Sequence, residues 1–128
     1  MGVYAVAAVG MGAALGAWLR WWLGMTLNPV FPTLPFGTLA ANLVGAYLVG
    51  IAAEYFHHNA VLPPEVRLFA VTGLLGGLTT FSTFSAETVT LLLREQYGWA
   101  FVIVLSHVIG SLGMTVLGIM TIKLLAQH

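Results

Sequence analysis

The residues with the most chemistry lie in one run, Gly76-Gly77-Leu78-Thr79-Thr80-Phe81-Ser82-Thr83-Phe84-Ser85-Ala86-Glu87. Two adjacent glycines loosen the backbone and remove side chains from it. Five hydroxyl residues and a carboxylate follow. Phe81 and Phe84 are three residues apart, so on a helix they share a face. In lipid every freed backbone group needs a partner, so an interruption of this kind lines a site. Unwinding near Gly77 and Thr80 would free carbonyls, which in membranes coordinate hard cations such as Na⁺. Aromatic edges carry partial positive charge, so the two phenylalanines have the chemistry to receive a small anion. The plain alternative is that they are core or lipid-facing residues.

Other polar groups fall at helical spacing on neighbouring segments. Thr38 and Asn42 are four apart, as are His107, Ser111 and Thr115 in series. Asn42 either joins two helices or donates its amide to an anion. Thr38, Ser82, Ser85, Ser111 and Thr115 each have a plain reading, a bond to their own helix backbone. Taken together, beside Asn42, they form a polar path. Glu87 is an intramembrane carboxylate if its span is centred near residue 80, and such a group is functional by default. It lies otherwise at the interface or pairs with Arg20. Arg20 is an interfacial anchor, an ion-pair partner or a charge that draws anions to a vestibule. His107 reads as a hydrogen-bonded packing residue. The adjacent His57 and His58 point apart on a helix and make a poor metal site.

These groups are held by a chain built for lipid. Only 6% of the 128 residues are charged and 59% are hydrophobic. The chain reads as one domain, residues 1–128, of the all-α membrane class with four spans. These cover about residues 2–25, 37–56, 65–95 and 97–125. Residues 2–25 lack the basic start of a cleaved leader and read as a retained span. Ala8, Gly12 and Gly16 form a ridge for close helix contact, with Trp18, Trp21 and Trp22 as interfacial aromatics. Thr26 to Phe36, with Pro29, Pro32 and Pro35, reads as a loop. Residues 65–95 are too long for one straight span: 31 helical residues extend roughly 46 Å, against a hydrocarbon core of roughly 30 Å. Tilt, a break near 76–80, or both follow. Cysteine is absent, which removes disulfides, thiolate metal sites and a Cys nucleophile. Net charge is zero and points to no nucleic-acid partner.

With four spans, Arg67 and Lys123 fall on one side of the membrane and Arg20 and Arg94 on the other. The positive-inside bias that normally sets orientation is therefore absent. Either other features fix one orientation, or the chain inserts both ways and pairs antiparallel. Four spans enclose little interior, so the polar stripes call for a second copy.

The run at 76–87 resembles the signature of the Fluc (CrcB) fluoride ion channel family. Supporting matches are Gly16-x-x-x-Arg20, Pro35-x-Gly37-Thr38-x-x-x-Asn42 and His107-x-x-Gly110-Ser111. The resemblance covers the whole chain. It implies an antiparallel, dual-topology homodimer in the cell membrane, the bacterial inner membrane, that exports fluoride passively through two pores. It implies a third helix broken at midmembrane, with a structural Na⁺ held on the twofold axis by the carbonyls of Gly77 and Thr80. The pore residues it implies are Phe81 and Phe84 as an aromatic box and Asn42 as donor. Thr38, Ser111 and Thr115 form a polar track near Glu87, with Ser82 and Ser85 close by. His107 lies at a variable pore position, and Arg20 at a vestibule.

Three other classes compete with a channel. A small proton-coupled multidrug exporter also has four spans, but it needs a carboxylate in the first span, which contains no Asp or Glu. A membrane enzyme would draw on Glu87, His107 and the hydroxyls, yet no serine elbow, metal motif or phosphate loop surrounds them. A purely structural assembly factor would have no use for so concentrated a polar motif.

Overall fold

A computed structural model describes residues 2–127. The described chain is helical, with four apolar segments long enough to cross a membrane: Val3–Val30, Phe36–His58, Pro64–Leu93 and Tyr97–Ala126. They are 23 to 30 residues long, and a span needs about 20. We label the elements α1 (Val3–Leu27), α2 (Phe36–His58), α3 (residues 64–78), α4 (Phe81–Leu93) and α5 (Tyr97–Ala126).

The first helix runs past the expected loop boundary at Thr26 and continues as a 3₁₀ turn, Asn28–Val30. Pro29 stands at the start of that turn, where a missing N–H costs nothing. Asn28 then reaches nine residues along the chain. Its Oδ1 accepts from the Gly37 N–H at 2.7 Å and the Thr38 N–H at 3.1 Å. Two orphan donors at the start of α2 are thereby satisfied, although Pro35 at the N-cap has no side chain able to do so. The residues that follow Asn28 fold back over the α4–α5 end, where Phe31 stacks on Phe36 and packs against Trp99.

Glycines let the helices touch backbone to backbone. A Cβ at Gly16 would meet the Leu74 carbonyl, one at Gly50 the Thr115 carbonyl, and one at Gly118 the Tyr47 carbonyl. The expected small-residue ridge of α1 is thus packed on α3, and α2 packs on α5. The middle of α3, Leu68–Leu75, is π-helical, and nothing in its sequence marks this in advance.

Between Leu78 and Phe81 the backbone leaves helical geometry. Thr79 lies at φ −85°, ψ 154° and Thr80 at φ −148°, ψ 121°, both extended. At these two residues the chain changes partners, because α3 packs on α1 and α4 packs on α5. The core divides at the same place. One cluster holds Leu75 and Leu78 with Ala41, Ala52 and Phe56, and the other holds Phe84 and Leu91 with Leu34, Ala100 and Ile103.

The C-terminus of α4 closes with two bonds. The Gln96 N–H donates to the Leu91 carbonyl at 2.9 Å, and the Glu95 N–H donates to the Leu92 carbonyl at 3.0 Å. This is a Schellman motif, whose left-handed position normally holds glycine. Here it holds Glu95, at φ 59°. Glu95→Gly removes the Cβ penalty of that conformation and is expected to stabilise the protein by about 1 kcal/mol, measured by thermal unfolding in detergent.

Candidate functional site

The site is built on the two extended threonines. Asn42 projects from α2 and bonds both backbone groups of Thr80. The Thr80 N–H donates to Asn42 Oδ1 at 2.8 Å, and Asn42 Nδ2 donates to the Thr80 carbonyl at 3.0 Å. A side-chain amide here stands in for a strand neighbour. Thr79 bonds backward, with its N–H and its hydroxyl both on the Leu75 carbonyl. The Thr80 hydroxyl caps α4 by accepting from the Thr83 N–H at 3.1 Å, a Thr N-cap of the usual kind. Arg20 holds the other side of the break, where its Nε donates to the Gly77 carbonyl at 2.9 Å. A guanidinium at a helix C-terminus satisfies an orphan carbonyl and the dipole together.

The pairing with Thr80 fixes which atom of the Asn42 amide is oxygen, since a backbone N–H can only donate. Nδ2 is then the atom 3.0 Å from His107 Nδ1, and an amide nitrogen only donates. Nδ1 therefore accepts, and a neutral ring keeps its hydrogen on Nε2. This tautomer is assigned from the hydrogen-bond network. Nε2 is buried and has no protein partner. The His107 ring also lies 4.5 Å from that of Phe84, tilted by 30°.

A cleft of about 320 Å³ opens beside these groups, lined chiefly by Asn42, Thr80, Phe81, Phe84, His107 and Ser111. The two phenyl rings meet edge to face at 5.7 Å. Phe84 is buried, whereas Phe81 is 77% exposed on the outside of this single chain. A second cleft of about 300 Å³ adjoins it at Thr80 and includes Arg20, Thr38 and Thr83. A third, of about 400 Å³, adjoins that one at Thr83 and includes Glu87, Thr90, Arg94 and Gln96.

Thr38 donates its hydroxyl to Glu87 Oε2 at 2.6 Å, and Glu87 Oε1 is buried without a protein partner. Thr38 thus bonds across to α4 and not to its own helix, and the partner of Glu87 is Thr38 and not Arg20. Six of the residues singled out in the sequence therefore converge on one cleft, and Thr38 and Glu87 form a pair beside it. The rest lie elsewhere. Thr115 donates to the Ala46 carbonyl at 3.1 Å and joins α5 to α2. Ser82 is exposed outside the three clefts. Ser85 lines an outward-facing groove with Phe81, Phe84 and Thr88. His58 pairs with Glu54 at 2.9 Å, and among the described residues no cluster of three metal-ligating side chains forms.

Sequence reasoning missed Thr83, Arg94 and the capping role of Thr80. The last had a signal, a threonine directly before an amphipathic stretch. The other two did not, because their place in the clefts depends on how α4 is turned. The clamp carries a clear expectation. Asn42→Leu leaves the half-buried N–H and carbonyl of Thr80 without their partner, at about 1–3 kcal/mol each. Thermal unfolding in detergent should show a loss of at least about 2 kcal/mol, and an unchanged midpoint would refute the clamp.

Residues 7–119 match a family model described as "CrcB-like protein, Camphor Resistance (CrcB)". Over all 128 residues of both chains, the protein is 77% identical to a Nitrosospira multiformis protein named "Fluoride-specific ion channel FluC". Proteins of the same name from Cupriavidus pinatubonensis and Tolumonas auensis are each 56% identical. They match over 126 and 125 residues, covering 98% of this chain and 100% and 98% of their own. Identity at this level along the full length leaves one assignment, and the chain belongs to the CrcB-like family.

Proposed function

We propose that this chain forms a fluoride-selective channel in the cell membrane. It lets fluoride leave passively and so lowers its toxic concentration in the cytoplasm. The observation that carries the reading is the cleft between α2, α4 and α5. It gathers groups that bear no fixed charge: the Ser111 hydroxyl and the edges of Phe81 and Phe84 line it, beside the Asn42 amide, whose two N–H groups bond Thr80 and His107. Fluoride is small and strongly hydrated, so a pore must replace its water with donors. A cation within the path would hold it too long, because conduction needs sites that release. The names of the relatives point the same way. Thr38 and Glu87 border the path, and Arg20 supplies a vestibule charge at the second cleft.

The working unit in this reading is an antiparallel homodimer of dual topology. The evenly divided basic residues support it, as does the outward exposure of Phe81, whose box lacks a wall in one chain. A twofold pairing repeats every site, so it supplies two equivalent pores. The third span then breaks at midmembrane, at Thr79 and Thr80.

The carbonyls of Gly77 and Thr80 fit a cation on the twofold axis. Each is a neutral oxygen that accepts one hydrogen bond, from Arg20 or Asn42, and keeps a second lone pair. Two copies would offer four such oxygens. Neutral backbone carbonyls of this kind suit a hard cation such as Na⁺. Bound there, it would contribute fixed positive charge that offsets the cost of anions nearby.

Fluoride efflux from proteoliposomes tests the pore. Phe81→Ile and Phe84→Ile are each expected to abolish efflux while the dimer stays intact by size-exclusion chromatography. Undiminished flux in both would sink the assignment. For topology, single cysteines introduced into this cysteine-free chain should cross-link only in antiparallel pairs, and capture of parallel pairs alone would rule the dimer arrangement out.

A further inference from the structure

We propose that Arg94 is a second anion-collecting charge of the conduction path, set at the mouth of the cleft that leads inward past Thr83 and Glu87. The inference rests on the channel reading above and adds a residue to it. Arg94, Gln96 and Thr90 line the same cleft as Glu87 and Thr83. Thr83 also lines the Arg20 cleft, and Thr80 lines both that cleft and the phenylalanine cleft. Arg94 thus lines one of three clefts that share Thr83 and Thr80 in turn, and the aromatic pair lines another.

Its position there is fixed by the backbone. Arg94 caps α4, and the Schellman bonds through Glu95 and Gln96 hold the turn that follows. Arg94 lines the cleft and its neighbour Glu95, at φ 59°, does not. Among the described residues Arg94 makes no ion pair, since the one salt bridge joins His58 to Glu54. Its charge is therefore free to act on ions in the cleft. A positive mouth raises the local fluoride concentration, as clefts lined by charge do. Because Arg94 is exposed, its effect is on supply and fades with salt. The competing role is an interfacial anchor on lipid phosphate.

The test uses the full-length channel in neutral phosphatidylcholine vesicles, which removes the anionic lipid partner. Arg94→Cys gives a unique thiol, since the chain has no cysteine. Cationic, neutral and anionic methanethiosulfonates of similar size are applied from both sides at an ionic strength of about 10 mM, where the Debye length is about 30 Å, and again at about 1 M. Fluoride flux is expected to follow the sign of the attached charge at low salt, with a span of at least about two-fold. It should converge at high salt. Lys123→Cys, outside all three clefts, should show no such order. Equal flux for the three reagents at low salt would overturn the proposal, as would equal slowing by all three or the same charge order at Lys123. Absence of flux in the unmodified wild-type protein would sink the channel reading itself, so the two failures are distinguishable.

Discussion

Two hydrogen bonds between one asparagine amide and one backbone unit hold the molecule together at its weakest point. A membrane-spanning chain that leaves the helix exposes an N–H and a C=O that no water can solvate. Thr80 exposes both, and Asn42 satisfies both. No smaller side chain does this, and a carboxylate would offer only acceptors. Once the amide is fixed it also sets the tautomer of His107, so one residue determines the donors on two helices. The break, the cleft and the donor set are consequences of the same pairing.

The two arginines show how position changes the work of one side chain. Arg20 gives its Nε to the Gly77 carbonyl and so closes the end of α3. Arg94 sits at a helix end whose carbonyls are already satisfied by backbone N–H groups, and its guanidinium stays uncommitted. Both are outside the aromatic box, whose own donors are uncharged. In the channel reading proposed above, charge attracts at a distance and neutral groups receive.

Much of this was legible in the sequence because lipid restricts the options. Four apolar segments and the shared face of Phe81 and Phe84 follow from spacing. The interruption, expected near 76–80 with tilt as the alternative, falls at Thr79 and Thr80, while Gly76 and Gly77 stay helical and Gly77 packs on Ala13 of α1. The α1 ridge at Gly12 and Gly16 followed from its four-residue repeat. What stayed hidden depends on partners far apart in the chain. Asn28 caps a helix nine residues later, a distance at which no capping pattern is recognisable. Thr38 bonds Glu87 across 49 positions, and only the rotation of α4 decides that. Ser82 and Ser85 were indistinguishable by type, yet one faces outward and the other an outer groove. Thr115 shares the spacing of His107 and Ser111 but lies where α5 presses on α2.

The order of these partners along the chain matters for how the protein is made. Arg20 and Asn42 are both translated before Gly77 and Thr80. When the discontinuous segment leaves the ribosome, the groups that will cover its bare amide and carbonyls have already been made. His107, which needs Asn42 to be oriented first, arrives last. Nascent α3 can therefore be sheltered by α1 and α2 as it inserts, before α4 has its own neighbour in α5. The sequence of synthesis matches the sequence in which unpaired backbone would otherwise become a hazard.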